Sequence, residues 1–432
     1  MTAHAIALPR RRGACPGLSA PMPTGDGLLV RLMPTGTISL AAFAQLCAAA
    51  RRYGNGIVEI TSRGNIQIRG LNETSAAPFA AAVAALDIAA EDGVPIYCNP
   101  LAGIDAEEIF DAQALAADLR RTLARRSIAA KLGAKVSVAI DGGGALNLNG
   151  LAADVRLRAE PINGGVALRV GVGGDGAGGA DLGLVSTGDG VTAALLLLDV
   201  LAKRGGDVRA RDILIADGMA PFRSALASVN GSCALPLPVR KRQTHDPIGV
   251  HGLRDGSFAC GIGLAFGHAV SESLLQLADA AAAACAYGLR AAAARTLMTI
   301  GLTKETSASF AAVAERLGFI VRAEDPRRHI VACAGAPICA SAHIASRALA
   351  PLIADRVGRQ MGARSTIHIS GCAKGCAHPA AAALTVVGTP DGCALIADGR
   401  CQDTPFAAVT TLEMPAALAK YIREQKREGR HV

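Results

Sequence analysis

The chain has no tryptophan, and aromatic residues make up only 3% of it. It also lacks any run of 18 apolar residues. The longest candidate, Val191 to Leu201, is interrupted by Asp199, so no membrane-spanning helix is expected. Basic residues are dispersed rather than gathered into blocks interleaved with aromatics, and no helix-turn-helix pattern is found, which argues against a nucleic-acid partner. The order of a secretory signal is missing too. Arg10, Arg11 and Arg12 follow a short, weakly apolar stretch instead of preceding one, so a cytoplasmic, reducing location is expected. Disulfides are not expected there, yet the chain carries 12 cysteines. These must be core residues, metal ligands or catalytic thiols.

What is present is a large apolar fraction, 51% of 432 residues, enough for several domain-sized units. The net charge of +8 favours an anionic partner. Leu28–Leu32 reads as a strand, Ser39 as the cap of a helix running to Tyr53, and Gly54 as its stop. Ile57–Ile60 and Asn65–Arg69 read as strands joined by Thr61-Ser62-Arg63-Gly64. Arg63, Asn65, Gln67 and Arg69 alternate with apolar residues and share one polar face. Such a face suits a polycarboxylate, because Arg forms paired, charge-assisted bonds with carboxylates. A solvated strand face is the bland alternative. Arg31 and Lys135 are weaker candidates of the same kind. A second helix is expected over 77–90. Asp105 with Glu108 predicts a capping box for a helix ending near Arg126, and 135–149 predicts a hairpin. Gly171–Gly176 fits G-x-G-x-x-G, but no helix starts at once after it, so a hairpin loop is expected rather than a dinucleotide site.

A basic, proline-containing linker is expected at 236–247, after which the order restarts. Phe258–Leu264 is strand-like, Gly267-His268 turns, and Ser271 caps a helix ending at Tyr287-Gly288. Arg295–Leu302 then stands where Arg63–Leu71 stood, at an offset near 232 residues, which predicts two similar half-domains facing each other.

Four cysteines form two close pairs, Cys333 with Cys339 and Cys372 with Cys376, separated by a helical stretch. Two short loops giving two thiolates each suit a [4Fe–4S] cluster. Gly335, Gly371 and Gly375 let the backbone bend round it and aim N–H groups at sulfur. Zinc and four buried core cysteines stay open as alternatives, although the five residues between Cys333 and Cys339 are less typical of zinc. Cys15, Cys47, Cys98, Cys233, Cys260, Cys285, Cys393 and Cys401 have no such spacing and read as core or surface residues.

C-x5-C followed by G-C-x3-C behind a duplicated unit resembles the nitrite/sulfite reductase superfamily. So do the Thr61–Gly70 segment, Asn99-Pro100-Leu101-Ala102-Gly103 and Lys131–Asp141. The resemblance implies an α+β, duplicated nitrite/sulfite reductase-like fold with two ferredoxin-like half-domains and a C-terminal [4Fe–4S] region. The expected division is a first half-domain at 13–90, a tetrapyrrole cradle at 91–235, a second half-domain at 245–315 and a cluster domain at 316–432. It further implies that Cys333, Cys339, Cys372 and Cys376 hold the cluster, and that Arg31, Arg63, Asn65, Gln67, Arg69 and Lys135 face a tetrapyrrole.

Within the superfamily, Cys15-Pro16, Pro21–Arg31, Pro247–His251 and Arg254-Asp255-Gly256 resemble the precorrin-3B synthase branch. That resemblance implies O2-dependent hydroxylation of precorrin-3A with γ-lactone closure, in aerobic cobalamin biosynthesis. It implies a mononuclear non-haem iron beside the cluster, and electrons from a separate NAD(P)H-linked reductase or a ferredoxin. The sequence names no ligands for that iron. His245, His251, Asp255 and His268 lie near the restart without a metal-binding spacing, and His378 sits two residues after Cys376. The alternative is a sirohaem-dependent nitrite or sulfite reductase. Against it, Val94-Pro95-Ile96-Tyr97 stands where such reductases carry an Arg, and Ser137 where they carry a second Lys after Lys135. A tetrapyrrole carrier or redox sensor without catalysis is a further alternative.

Overall fold

The computed structural model describes residues 16–91, 93–229, 245–362, 365–378 and 380–428. Cys15, Cys233 and the 236–244 part of the expected linker lie outside them. Among the described residues the strands form four five-stranded sheets, and the fold is α+β with internal duplication.

The chain starts with β1 (Met22–Thr24), β2 (Gly27–Leu32), β3 (Ile38–Ser39), α1 (Leu40–Tyr53), β4 (Ile57–Ile60), β5 (Ile66–Leu71) and α2 (Ala76–Ala84). Ser39 caps α1 by accepting from the Ala42 N–H at 3.2 Å. Phe43, Leu46, Cys47 and Ala50 recur at helical spacing and are fully buried. In β5, Ile66 and Ile68 point into the core while Gln67 and Arg69 face the other way. Helix α2 stops short of the expected Ala90. Residues 89–91 pair instead with 33–35, Thr35 N–H donating to the Ala89 carbonyl and Glu91 N–H to that of Met33, both at 2.9 Å.

Next come β6 (Ile96–Cys98), α3 (Ala112–Ala124), β7 (Val138–Asp141), β8 (Ala153–Ile162), β9 (Gly165–Gly174), β10 (Ala180–Ser186), α4 (Gly190–Arg204), α5 (Ala210–Asp217) and α6 (Ala220–Leu226). Two expectations fail here. Asp111, not Asp105, caps α3 through the Ala114 N–H. Asp105 and Glu108 accept instead from the Ala145 and Gly103 N–H groups, at 2.8 and 2.7 Å, closing the loop after β6. The 135–149 hairpin is absent as well. β7 lies parallel to both β6 and β8, and 142–149 is a loop folded over Asn99 and Asp141. Gly171–Gly174 form the end of β9, and only Asp175-Gly176 enter the hairpin loop that leads to the antiparallel β10.

The second half follows the same plan: β11 (Gly249–Gly252), β12 (Phe258–Gly263), β13 (His268–Val270), α7 (Ser271–Ala283), β14 (Gly288–Ala292), β15 (Thr296–Leu302) and α8 (Lys304–Arg316). Ser271 is the first residue of α7 rather than its cap, and its hydroxyl donates to the Gly56 carbonyl at 2.9 Å. That bond belongs to an exchange of edges. β13 adds to the first sheet beside β4, and β3 adds to the sheet of β11, β12, β15 and β14. Each half completes the other's sheet, and one hydrophobic core serves both.

Last come β16 (Ile330–Ala332), α9 (Ser346–Val357), β17 (Ile367–Ser370), β18 (Ala382–Thr389), β19 (Gly392–Gly399), β20 (Ala407–Val409) and α10 (Met414–Arg427). The order β16-β17-β18-β19-β20, with two parallel and then two antiparallel pairings, matches that of β6 to β10. The duplication therefore extends over the whole chain. The loops after β16 and β17 carry the four paired cysteines. Their counterparts after β6 and β7 carry Asn99 and Asp141, joined by a buried 3.0 Å hydrogen bond.

Candidate active site

A cavity of about 550 Å³ is lined by residues of the first sheet, of the β6 and β7 region, of the turns at Phe266 and Arg295, and of the cysteine loops. That volume is within the range of small-molecule sites. Six cationic side chains (Arg31, Arg63, Arg69, Lys135, Arg209, Arg295) line it, against one carboxylate, Glu59. Asn65, Gln67, Tyr97, Ser137, Cys333 and Cys376 complete the part that matters here. All six side chains expected from the sequence to face a tetrapyrrole reach this one cavity, opposite two of the four paired cysteines.

Their roles differ more than the alternation implied. Arg63 is not on β5. It sits in the turn before it, bridged to Ala293, and its guanidinium lies 5.3 Å from the Tyr97 ring centre. Arg69 is held by two bonds to Asp26, at 2.7 and 2.8 Å, and lies 3.5 Å from Glu59. Burial opposes its charge, but Asp26 and Glu59 more than offset this and raise its pKa. Arg31 donates twice to Gln67 Oε1, at 3.0 and 2.6 Å, and Gln67 Nε2 donates to Glu59 at 2.9 Å. This wall is thus a preset lattice whose outer edges face the cavity. Lys135 is exposed at its rim.

Arg209, Arg295 and Glu59 were missed by the sequence reading. Arg209 is fixed by Asp154, Nε to Oδ1 at 2.9 Å and NH2 to Oδ2 at 2.8 Å. Only Arg295 had a signal in the sequence, its place at the duplicate position of Arg63.

The four paired cysteines are close enough to feel one another's charge. Burial, then Cys372 and Cys333, push the Cys376 thiol up, while Arg69 pulls it down. The Gly371 N–H donates to Cys333 Sγ at 3.0 Å, and Gly25 packs so closely on Cys339 that a methyl there would overlap its sulfur. Arg347, from α9, donates to Glu59 at 2.7 Å but keeps Nε and NH1 buried without partners, within reach of the Cys333 charge. Thiolate donors, an N–H already aimed at sulfur and two orphaned guanidinium N–H groups fit an Fe–S cluster. Among the described residues no three His, Cys, Asp or Glu side chains are close enough to share one metal ion.

Nor do the described residues gather three ligands for a mononuclear iron. His251 contacts the Pro247 carbonyl at 3.3 Å, Asp255 holds the Ser257 turn, and His268 is held near a pKa of about 4 by burial and Arg347. His251 feels the charge of His245, but among the described residues no third ligand joins them. His378 packs edge-on against His368, ring centres 5.7 Å apart. The unpaired cysteines are mostly inert, with Cys47, Cys98 and Cys260 pushed up to about 12, chiefly by burial. Cys401 is a core residue as expected, packed with Val387 and Ile396, but it has polar surroundings as well. It lies 3.6 Å from His368 Nδ1 and feels the charges of Cys333, Cys372 and Cys376.

Comparison with known proteins agrees with this architecture. Residues 20–86 match the nitrite/sulfite reductase ferredoxin-like half domain. A precorrin-3B synthase from Sinorhizobium sp. is 37% identical over 423 residues, covering 97% of this chain and 90% of the relative. The chain belongs to the precorrin-3B synthase family. It is accordingly an oxidoreductase of the nitrite/sulfite reductase superfamily. A ferredoxin–nitrite reductase from Synechococcus elongatus is 25% identical, over 82% of this chain and 75% of its own length. The solved structure of Mycobacterium tuberculosis NirA superposes with a TM-score of 0.71 at 20% identity, covering 92% of this chain and 80% of that one, and shares the duplicated fold. Among the described residues, no helix of this family member is long and apolar enough to cross a membrane.

Proposed function

We propose that this chain makes precorrin-3B, the product that its relative's name states, and does so by O2-dependent hydroxylation of precorrin-3A with γ-lactone formation. Cys333, Cys339, Cys372 and Cys376 would hold a [4Fe–4S] cluster, which supplies electrons one at a time when bound. The observation that carries the reading is the single cavity, with a cationic and amide wall on one side and Cys333 and Cys376 on the other. A precorrin is a ring of carboxylate arms, and six cations against one acid select for such a polyanion.

The chain's own part is positioning. Arg63 and Lys135 have no polar side-chain partner among the described residues and are available to substrate carboxylates. Arg31, Gln67 and Arg69 are already locked, so docking costs little ordering. Overall, one oxygen atom of O2 enters the macrocycle. The other leaves as water, consuming two electrons and two protons, and a neighbouring carboxylate of the substrate closes the lactone. The electrons come from a separate reductase or ferredoxin.

Nitrite or sulfite reduction with sirohaem is disfavoured by what faces the cavity at the two departures, Pro95 with Tyr97 and Ser137. Protonating a small anion needs cations at those places. The test is turnover of precorrin-3A by the reconstituted chain with and without O2. Product only with O2, from a protein lacking the sharp bands of a haem-type macrocycle, is the expected result. Full-rate hydroxylation without O2 would overturn it.

A further inference from the structure

The arginines of the cavity are not equivalent. Arg31, Arg69 and Arg209 donate to Gln67, Asp26 and Asp154. Arg63 lies against Tyr97. Among the described residues the Arg295 guanidinium has no hydrogen-bond or ion-pair partner, although it is deep in the wall. Burial alone lowers its pKa, and nothing offsets it. An uncompensated cation in such a place is a cost to the empty fold.

The backbone is shaped to keep it there. Ala294 and Arg295 both adopt left-handed φ, 59° and 62°, which non-glycine residues rarely do. The Ala294 N–H donates to the Ser62 carbonyl at 3.0 Å, and Arg63 bridges to Ala293, so the two duplicated turns meet. Gly267, at φ 88°, makes room, because a Cβ there would stand 2.8 Å from Arg295 Cδ. Three strained or cut-back positions thus aim one unpaired cation into the cavity.

We infer that Arg295 is a second carboxylate anchor, meeting a different arm of the tetrapyrrole from the one held by its duplicate, Arg63. Two free guanidiniums on turns that touch each other read the spacing of two arms, whereas the locked arginines only shape the wall. The inference rests on the tetrapyrrole reading above.

The test uses the full chain and uroporphyrin III, a tetrapyrrole octacarboxylate, with its methyl ester as the uncharged control. Binding is read by absorbance titration. Wild type is expected to prefer the acid. Arg295→Gln weakens acid binding roughly ten- to hundredfold, leaves the ester unchanged, and leaves the apo Tm equal or higher. Arg295→Lys recovers part of the loss. If wild type fails to prefer the acid, the tetrapyrrole reading falls and this inference with it. If wild type prefers the acid and Arg295→Gln binds it equally well, this inference alone falls. An equal loss for acid and ester with a lowered Tm shows a merely structural role and overturns it too.

Discussion

Asp26 grips Arg69 with both carboxylate oxygens, Nε to Oδ2 at 2.8 Å and NH2 to Oδ1 at 2.7 Å, and only 1% of the Asp26 side chain is exposed. The pair ties the turn between β1 and β2 to the centre of β5. It uses two of Arg69's five N–H donors inside the protein and fixes the guanidinium's position. What reaches the cavity from Arg69 is a fixed charge rather than a free hand.

Breaking that pair from one side should be costly, because it strands a buried charge. Asp26→Ala is expected to lose about 3–5 kcal/mol of stability. The wild-type pair is also pH-dependent. Burial works against the Asp26 carboxylate, but Arg69 and Thr24 hold its pKa below the ordinary value of 3.8. A depressed carboxylate contributes stability that is complete above its unfolded value and disappears as pH falls through the folded one. Wild type should therefore lose stability more steeply below about pH 4 than Asp26→Asn does. Denaturant melts across that range check it, and parallel curves for the two proteins would refute it.

Gly25→Ala should separate folding from cluster binding. The added methyl would overlap Cys339 Sγ, the free end of a short side chain that can swing away. The apo fold should survive with a Tm within a few degrees of wild type. The swing removes one of four thiolates, so the reconstituted protein should hold little iron or sulfide. Full metal content in Gly25→Ala would show that Cys339 is not a ligand.

Cys376 and Cys401 lie in one electrostatic neighbourhood but should answer differently to substitution. Cys376 shares a short loop with Cys372, whereas Cys401 leans on His368. Cys376→Ala is expected to abolish cluster assembly. Cys401→Ala should keep full iron and sulfide and change only the spectrum of the reduced cluster, through the altered polarity beside it. Iron and sulfide analysis with electron paramagnetic resonance distinguishes the two. Equal loss in both would place Cys401 among the ligands.

Local chemistry was readable in the sequence, and long-range chemistry was not. Ser39 capping α1 and the Ile66, Ile68 alternation depend on neighbours within a few residues, and both appear as expected. The cysteine pairs were legible because their members are close in sequence. Asp105 and Glu108 had the spacing of a capping box, but Asp105 was taken by the Ala145 N–H, 40 residues on, and Glu108 by the nearby Gly103 N–H, with only a longer 3.4 Å contact to Ala112 at the helix start. The match between the β6–β10 and β16–β20 sheets was invisible, since Asn99 and Asp141 stand at the ends of the strands in one copy where cysteines follow in the other. Arg209 could not be found at all, because only the fold brings Asp154 and the cavity to it.

The contact between the duplicated turns offers the last prediction. Gly64 has φ 80°, and a Cβ there would lie 2.8 Å from the Ala292 carbonyl carbon and 3.1 Å from its Cα. Both atoms are backbone, so neither can move aside cheaply. Gly64→Ala therefore carries conformational strain of about 1–3 kcal/mol, added to the cost of parting the turns that carry Arg63 and Arg295. A fall in Tm of several degrees is expected, measured by calorimetry. Tetrapyrrole acid binding should weaken more than in either single arginine variant, because one methyl displaces both guanidiniums. Iron and sulfide content should stay at the wild-type level, since the atoms nearest to the added methyl belong to Ala292 and Ala293 and not to the cysteine loops. A variant that binds the acid normally despite the lower Tm would show that the meeting of the turns serves stability alone.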